Sequence, residues 1–140
     1  MNILEVCLAS DSEWLQQNVT NAYLAGAQRI ELCSEMDKDG LTPCLDSIKV
    51  ARQAFAERPG LMVMIRPRVG DFCYNSQEVE VMVEQIQQAA QAGADGVVLG
   101  ALTADDKQLD LAAMRRLVKV AKSFGLAVGM HRAFDVLPDY

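Results

Sequence analysis

The chain has 140 residues, 51% hydrophobic and 23% charged, with 9 Gly, 4 Pro and 4 Cys. This composition belongs to ordinary globular domains and excludes disorder, collagen-like repeats and disulfide-dense mini-proteins, and the length predicts one domain with a single core. With 13 basic against 19 acidic residues the net charge is −6, so nucleic-acid phosphates and anionic membranes are repelled and neither is an expected partner. The opening Met1-Asn2-Ile3-Leu4-Glu5 lacks the basic and apolar regions of a signal peptide, and no stretch reaches the roughly 18 apolar residues of a spanning helix. The expected location is therefore the cytoplasm. There Cys7, Cys33, Cys44 and Cys73 read as free thiols or soft-metal ligands rather than disulfides.

In chain order, the apolar run from Ile3 to Leu8 predicts a first strand. Ser10-Asp11-Ser12-Glu13 reads as a capping box opening a helix with apolar Leu15, Val19 and Ala22. A second strand covers Ile30 to Cys33, and Thr42 as cap with Pro43 in the first helical position starts a helix through Leu45, Ile48, Ala51 and Phe55. Leu61 to Ile65 is the third strand. Asn75-Ser76-Gln77-Glu78 opens a helix carrying Val79, Val83, Ile86 and Ala90. Gly96 to Leu99 is the fourth strand, Asp110 precedes a helix with Leu111, Met114, Val118 and Ala121, and Leu126 to Met130 is the fifth strand. Strand starts recur about every 30 residues, the length of a βα repeat with parallel strands and crossover helices. Ala25-Gly26-Ala27 and Ala92-Gly93-Ala94 close successive repeats with Gly in the left-handed position after a helix.

Five strands fit either a flavodoxin-like open sheet or part of a (βα)8 TIM-type barrel. Strands of an open sheet covered on both faces read as continuous apolar runs, whereas Glu5 and Glu31 interrupt the first two strands here. Alternation puts Leu4, Val6, Leu8, Ile30, Leu32, Val63, Ile65, Val128 and Met130 on one face. The other face collects Glu5, Cys7, Glu31, Cys33, Met64, Arg66 and His131, weighted towards the C-terminal ends of the strands. A polar inner face at those ends is what a barrel places at its active-site mouth. A complete barrel takes about 250 residues, so the expectation is one domain over residues 1–140: a partial barrel, (βα)4β, with five parallel strands.

Two Glu-x-Cys strands pairing in register would set Cys7 and Cys33 side by side, and two soft thiolates at close range suit Cu(I). Free cysteines are also common as small buried hydrophobes. Glu5, Glu31, Arg66 and His131 form a second group. It reads either as a mutually neutralising network or as a catalytic site in which Arg66 clamps a small anionic metabolite and Glu31 or His131 acts as acid or base. Arg68 and Asp71 follow the third strand, and Arg132 and Asp135 follow the fifth, as candidate substrate-binding residues. Thr42-Pro43 reads as a cap, or as an anion site at a helix start.

The segments Glu5-Val6-Cys7, Arg29-Ile30-Glu31-Leu32-Cys33, Gly40-Leu41-Thr42-Pro43, Ile65-Arg66-Pro67-Arg68 with Gly70-Asp71-Phe72, and His131-Arg132-Ala133-Phe134-Asp135 resemble, in order and spacing, the CutC family of copper homeostasis proteins. The resemblance spans essentially the whole chain. It implies a TIM-barrel-like fold and matches Cys7 and Cys33 to the family's proposed Cu(I)-binding cysteines. Val69 stands where the family has Gly, which predicts strain if that position needs a positive φ. The family builds eight strands, and this chain stops after the fifth. Three functions follow as expectations: a Cu(I)-binding protein, an enzyme on a small anionic metabolite, or a piece inactive alone whose exposed edges invite homo-oligomerisation.

Overall fold

The computed structural model describes residues 2–105 and 108–138. Strands β1 (Glu5–Ala9), β2 (Arg29–Cys33), β3 (Leu61–Met64), β4 (Gly96–Leu99) and β5 (Ala127–Met130) alternate with helices α1 (Leu15–Leu24), α2 (Leu45–Phe55), α3 (Ser76–Gln91) and α4 (Leu111–Ser123). Short 3-10 turns, Met36–Lys38 and Arg132–Val136, follow β2 and β5.

All four strand pairs are parallel and the sheet order is β1-β2-β3-β4-β5. A flavodoxin-like sheet reverses its strand order at a switch point and carries helices on both faces. Here the order never reverses, and all four helices bury residues in one core against one face of the sheet. The open-sheet alternative is therefore wrong, and the arrangement is the arc of a TIM-type barrel. From β2 to β4 the buried face is the one predicted by alternation, whereas Leu4, assigned to the same face, is exposed. Ile30, Leu32, Val63, Ile65, Val97 and Leu99 are fully buried with Val19, Phe55, Met82, Ile86 and Leu117 from the helices, each large side chain contributing about 1.5–3 kcal/mol. β3 and β4 are buried throughout, while β1 and β5 keep partly exposed positions as edge strands.

The register of β1 against β2 corrects one expectation. Cys7 lies opposite Glu31, and Cys33 lies opposite Ala9, so the two cysteines are diagonal neighbours rather than side by side. Charge favours this register. Placing the cysteines opposite each other would put Glu5 opposite Glu31, an unfavourable like-charge pair, whereas the observed register puts Glu5 opposite Arg29. The Arg29 guanidinium donates to Glu5 at 3.1 Å.

Two helix starts match the sequence and two do not. Asn75 and Glu78 form the reciprocal capping box of α3, and the Asp110 carboxylate accepts the Ala113 N–H at the start of α4. α1 begins only at Leu15, with the Trp14 N–H donating to Ser12 Oγ. Ser10 is instead held in the core, its N–H donating to the Cys33 carbonyl and its carbonyl accepting from Ser47 Oγ. α2 begins at Leu45 with Cys44 as cap, so Thr42 and Pro43 lie before the helix. Thr42 Oγ1 accepts the Arg66 N–H and donates to Gln85, both at 2.8 Å, which ties the loop to the end of β3 instead of capping α2.

At the opposite end of the sheet, Gly60 has φ 115°, and a Cβ there would fall 2.1 Å from the Gln28 carbonyl oxygen. The Asp95 carboxylate accepts the Gly60 and Leu61 N–H groups and the Arg52 guanidinium, locking the start of β3 beside β4. The strain expected at Val69 is absent. Gly70 takes the positive φ, 101°, and Val69 is an exposed residue outside the left-handed region.

Candidate functional site

A cleft of about 480 Å³ opens on the inner face of the sheet. One end is Cys7, Glu31 and Cys33. His131 and Asp135 form the other, with Met64, Val98 and Met130 between them. The Arg132 guanidinium pairs with Asp39 at 2.5 Å, linking the turn after β5 to the loop after β2.

The diagonal register still brings the sulfurs together, because Cys7 and Cys33 share the inner face of adjacent strands. Their Sγ atoms are 4.0 Å apart, and the Cys33 thiol donates to Glu31 Oε1 at 3.8 Å. Potential ligand atoms of Cys7, Glu31 and Cys33 all lie within 4.8 Å of one another. Cys33 is buried and Cys7 exposed. Burial pushes the Cys33 thiol far above its usual range, and the neighbouring Cys7 and Glu31 push it further. Burial and Glu31 raise Cys7 as well, and burial and Glu5 raise the Glu31 carboxyl. Without a cation the cluster therefore keeps its thiols protonated. Cys44 caps α2 beside Ser47, and neither it nor Cys73 lines the cleft.

His131 is buried just beyond β5. Its Nδ1 accepts the Ala133 N–H at 3.1 Å, its ring packs on Phe72 with centroids 5.2 Å apart, and its Nε2 is buried with no partner. Burial, and then the charge of Arg66, hold its pKa down to about 4. At neutral pH it is an uncharged imidazole with its proton on Nε2.

Arg66 is 5% exposed, and its guanidinium is already occupied. Nη1 donates to the Lys38 and Gly40 carbonyls at 2.9 and 3.1 Å, and Nη2 donates to the Gly70 carbonyl at 3.0 Å. The bidentate fork expected to clamp an anion thus joins two loops, and Arg66 does not line the cleft. Arg68 is committed in the same way, to Glu78, Asp71 and the Cys73 carbonyl. Asp71 accepts from Arg68 and from the Cys73 N–H, and neither Arg68 nor Asp71 lines the cleft. Glu5 pairs with Arg29 below the cleft. The structure thus gathers Cys7, Glu31, Cys33, His131, Arg132 and Asp135 in one cleft and leaves Glu5, Arg66, Arg68 and Asp71 outside it.

Asp39 and Met36 also line the cleft without having stood out in the sequence, and so does Met130, which alternation assigned to the opposite face but which, at the C-terminal end of β5, packs with Phe72, Leu102 and Ala133 instead of in the core under the helices. The signal for Asp39 was the Asp39-Gly40 pair, since both residues adopt positive φ in the turn that follows Met36–Lys38.

The CutC family model matches residues 2–140. A CutC family protein of Xanthomonas axonopodis pv. citri is 48% identical over 84% of this chain and 47% of its own length. One from Vibrio atlanticus is 41% identical over 98% of this chain and 52% of its own. The solved CutC of Streptococcus agalactiae, named for copper homeostasis, superposes with a TM-score of 0.84 at 35% identity, covering 99% of this chain and 62% of that one. The chain spans about half the length of the curated relatives it matches. A family match over nearly every residue, on a five-stranded parallel arc, leaves one conclusion: this chain belongs to the CutC family.

Proposed function

We propose that the chain binds Cu(I) between Cys7 and Cys33 as part of copper homeostasis. The observation that carries this reading is the 4.0 Å separation of the two sulfurs on one wall of an open cleft. With a metal–thiolate bond of about 2.3 Å, one ion reaches both sulfurs at an S–metal–S angle of about 120°. That angle suits an ion content with two or three ligands. A structural zinc site calls for four, and the cluster offers three. Thiolates and thioethers select soft ions, and Met36, Met64 and Met130 line the same cleft.

The test is a Cu(I) titration of the reduced chain against a chromophoric Cu(I) chelator, beside a Cys7→Ser, Cys33→Ser double variant. The wild type is expected to withdraw one equivalent of Cu(I), and the double variant none. Equal withdrawal by both proteins, or a preference for Zn(II) in the same competition, overturns the assignment.

A further inference from the structure

The sheet ends in two bare edges, and their backbone groups can be assigned residue by residue. The Leu4 carbonyl accepts from Arg29 and the Ser10 N–H donates to Cys33, so the even-numbered residues of β1 bond β2, and Glu5, Cys7 and Ala9 turn their N–H and C=O groups outward. At the other end the Ala127 and His131 N–H groups donate to Asp95 and Leu99, so Val128 and Met130 turn theirs outward from β5. Unpaired edges of this kind are templates for another strand. These two interleave. Laid parallel, with Val128 beside Val6 and Met130 beside Leu8, every free group of β5 meets one of β1, and both valines keep to the helix side of the sheet.

Exposed apolar side chains gather at the same two ends. Ile3, Leu4, Trp14 and Leu24 belong to the β1–α1 end, and Leu111, Phe124, Phe134 and Val136 to the α4–β5 end. Among the described residues, only Met36, Val69 and Val81 are large hydrophobics exposed elsewhere. The accessible surface is 7822 Å², against about 7,100 Å² for a folded monomer of 15.3 kDa. The excess of about 700 Å² is close to the roughly 800 Å² that each partner buries in a standard interface.

Charge selects how two ends meet. α4 carries Arg115, Arg116, Lys119 and Lys122 and no acidic residue, so β5 paired with β5 of a second copy would set two cationic helices together. Pairing β1 with β1 would leave the α4–β5 end bare. α1 contains no charged residue and follows Asp11 and Glu13, so it accepts α4 of a second copy without like-charge conflict.

We propose that two copies of this chain join end to end in a closed two-fold pair, the β5 edge of each adding to the β1 edge of the other. Such a pair is self-complementary, each copy giving one edge and receiving the other. It also sets the second copy's β5 end against Cys7, so the thiol cluster lies at the junction. The pairing itself needs no metal.

Sedimentation equilibrium of the full, reduced, metal-free chain from about 1 to 100 μM is expected to show monomer and dimer in exchange, with the dimer predominant at the upper end. Val128→Pro removes an outward N–H of β5 and Ala9→Pro one of β1, and neither removes a ladder bond within the chain. Each is expected to weaken dimerisation at least about tenfold. Leu111→Ser and Leu4→Ser, at exposed positions of the two ends, are expected to act in the same direction, and they take the place of any proline variant whose circular dichroism departs from the wild type. A monomer throughout the range, assemblies that grow beyond two copies, or a dimer weakened from one end and not from the other overturns the proposal.

Discussion

Replacing Arg66 with methionine separates two roles for this residue. An anion clamp would be dispensable for folding, whereas the structure makes Arg66 the tie between the loop after β2 and the loop after β3. Three hydrogen bonds from a charged donor, to the carbonyls of Lys38, Gly40 and Gly70, disappear together in Arg66→Met. So does the stacking of the guanidinium over Phe72, 5.2 Å from the ring centroid. Bonds of this kind contribute about 1.5–3 kcal/mol each, and relief from burying a cation offsets part of their loss. The net expectation is a destabilisation of about 3–5 kcal/mol, the range seen when one partner of a buried charged network is removed. With a urea m-value of about 2 kcal/mol/M, the unfolding midpoint, followed by far-ultraviolet circular dichroism, falls by about 1.5–2.5 M. Arg66→Lys is expected to recover little of this, because an ammonium cannot reproduce the planar fork. A midpoint lowered by less than about 0.5 M at unchanged m would refute the structural role and return Arg66 to the list of ligand-binding residues.

Burial and Arg66 hold His131 down to about 4, against 6.5 for a free histidine. The unfolded chain therefore binds the extra proton first as pH falls. Stability contributed by the neutral ring is complete above pH 6.5 and is lost between about pH 6.5 and 4, by about 3 kcal/mol in total; His131→Phe should flatten that part of the profile in denaturant titrations. Because Cys7 and Cys33 are both raised and protonated at neutral pH, Cu(I) must displace protons, and its affinity in chelator competition should climb from pH 6 to 8. A flat profile contradicts a thiolate site. Asp95→Ala removes three hydrogen bonds at the start of β3 and should cost about 2–4 kcal/mol in the same urea assay. Val69→Gly should leave the melting temperature unchanged or lower it, since no strain is there to relieve; a clear rise would show otherwise.

Patterns of period two carried most of the fold in legible form. The outer face from Ile30 to Leu99 is buried as alternation predicts, and the inner face does collect the cysteines, Glu31 and His131. What alternation cannot supply is register. A slip of two residues keeps every side chain on its face, so alternation alone does not select between the observed pairing, with the cysteines diagonal, and one that would set Glu5 opposite Glu31. Arg66 was misread for a related reason. Its strand position was plain, but its carbonyl partners at Lys38, Gly40 and Gly70 come from loop conformations that leave no periodic trace. Ser10 shows the limit of a capping motif. The hydrogen bonds that hold its backbone to Cys33 and Ser47 outweigh the local signal, whereas Glu78 keeps its bond to the Asn75 N–H while also accepting from Arg68, and the motif forms as predicted.

The diagonal placement of Cys7 and Cys33 also bears on oxidation. Positions two residues out of register on adjacent strands have Cα atoms about 8 Å apart, beyond the span of about 4.4–6.8 Å that a disulfide tolerates. Closing an S–S bond would require β1 to slide along β2, breaking the Glu5–Arg29 pair and the Val6 and Leu8 ladder with it. An ion needs no such movement. The backbone thus keeps the two thiols close enough to share a guest and too far apart to consume each other, and because both stay protonated in the absence of a cation, neither offers the thiolate from which oxidation starts.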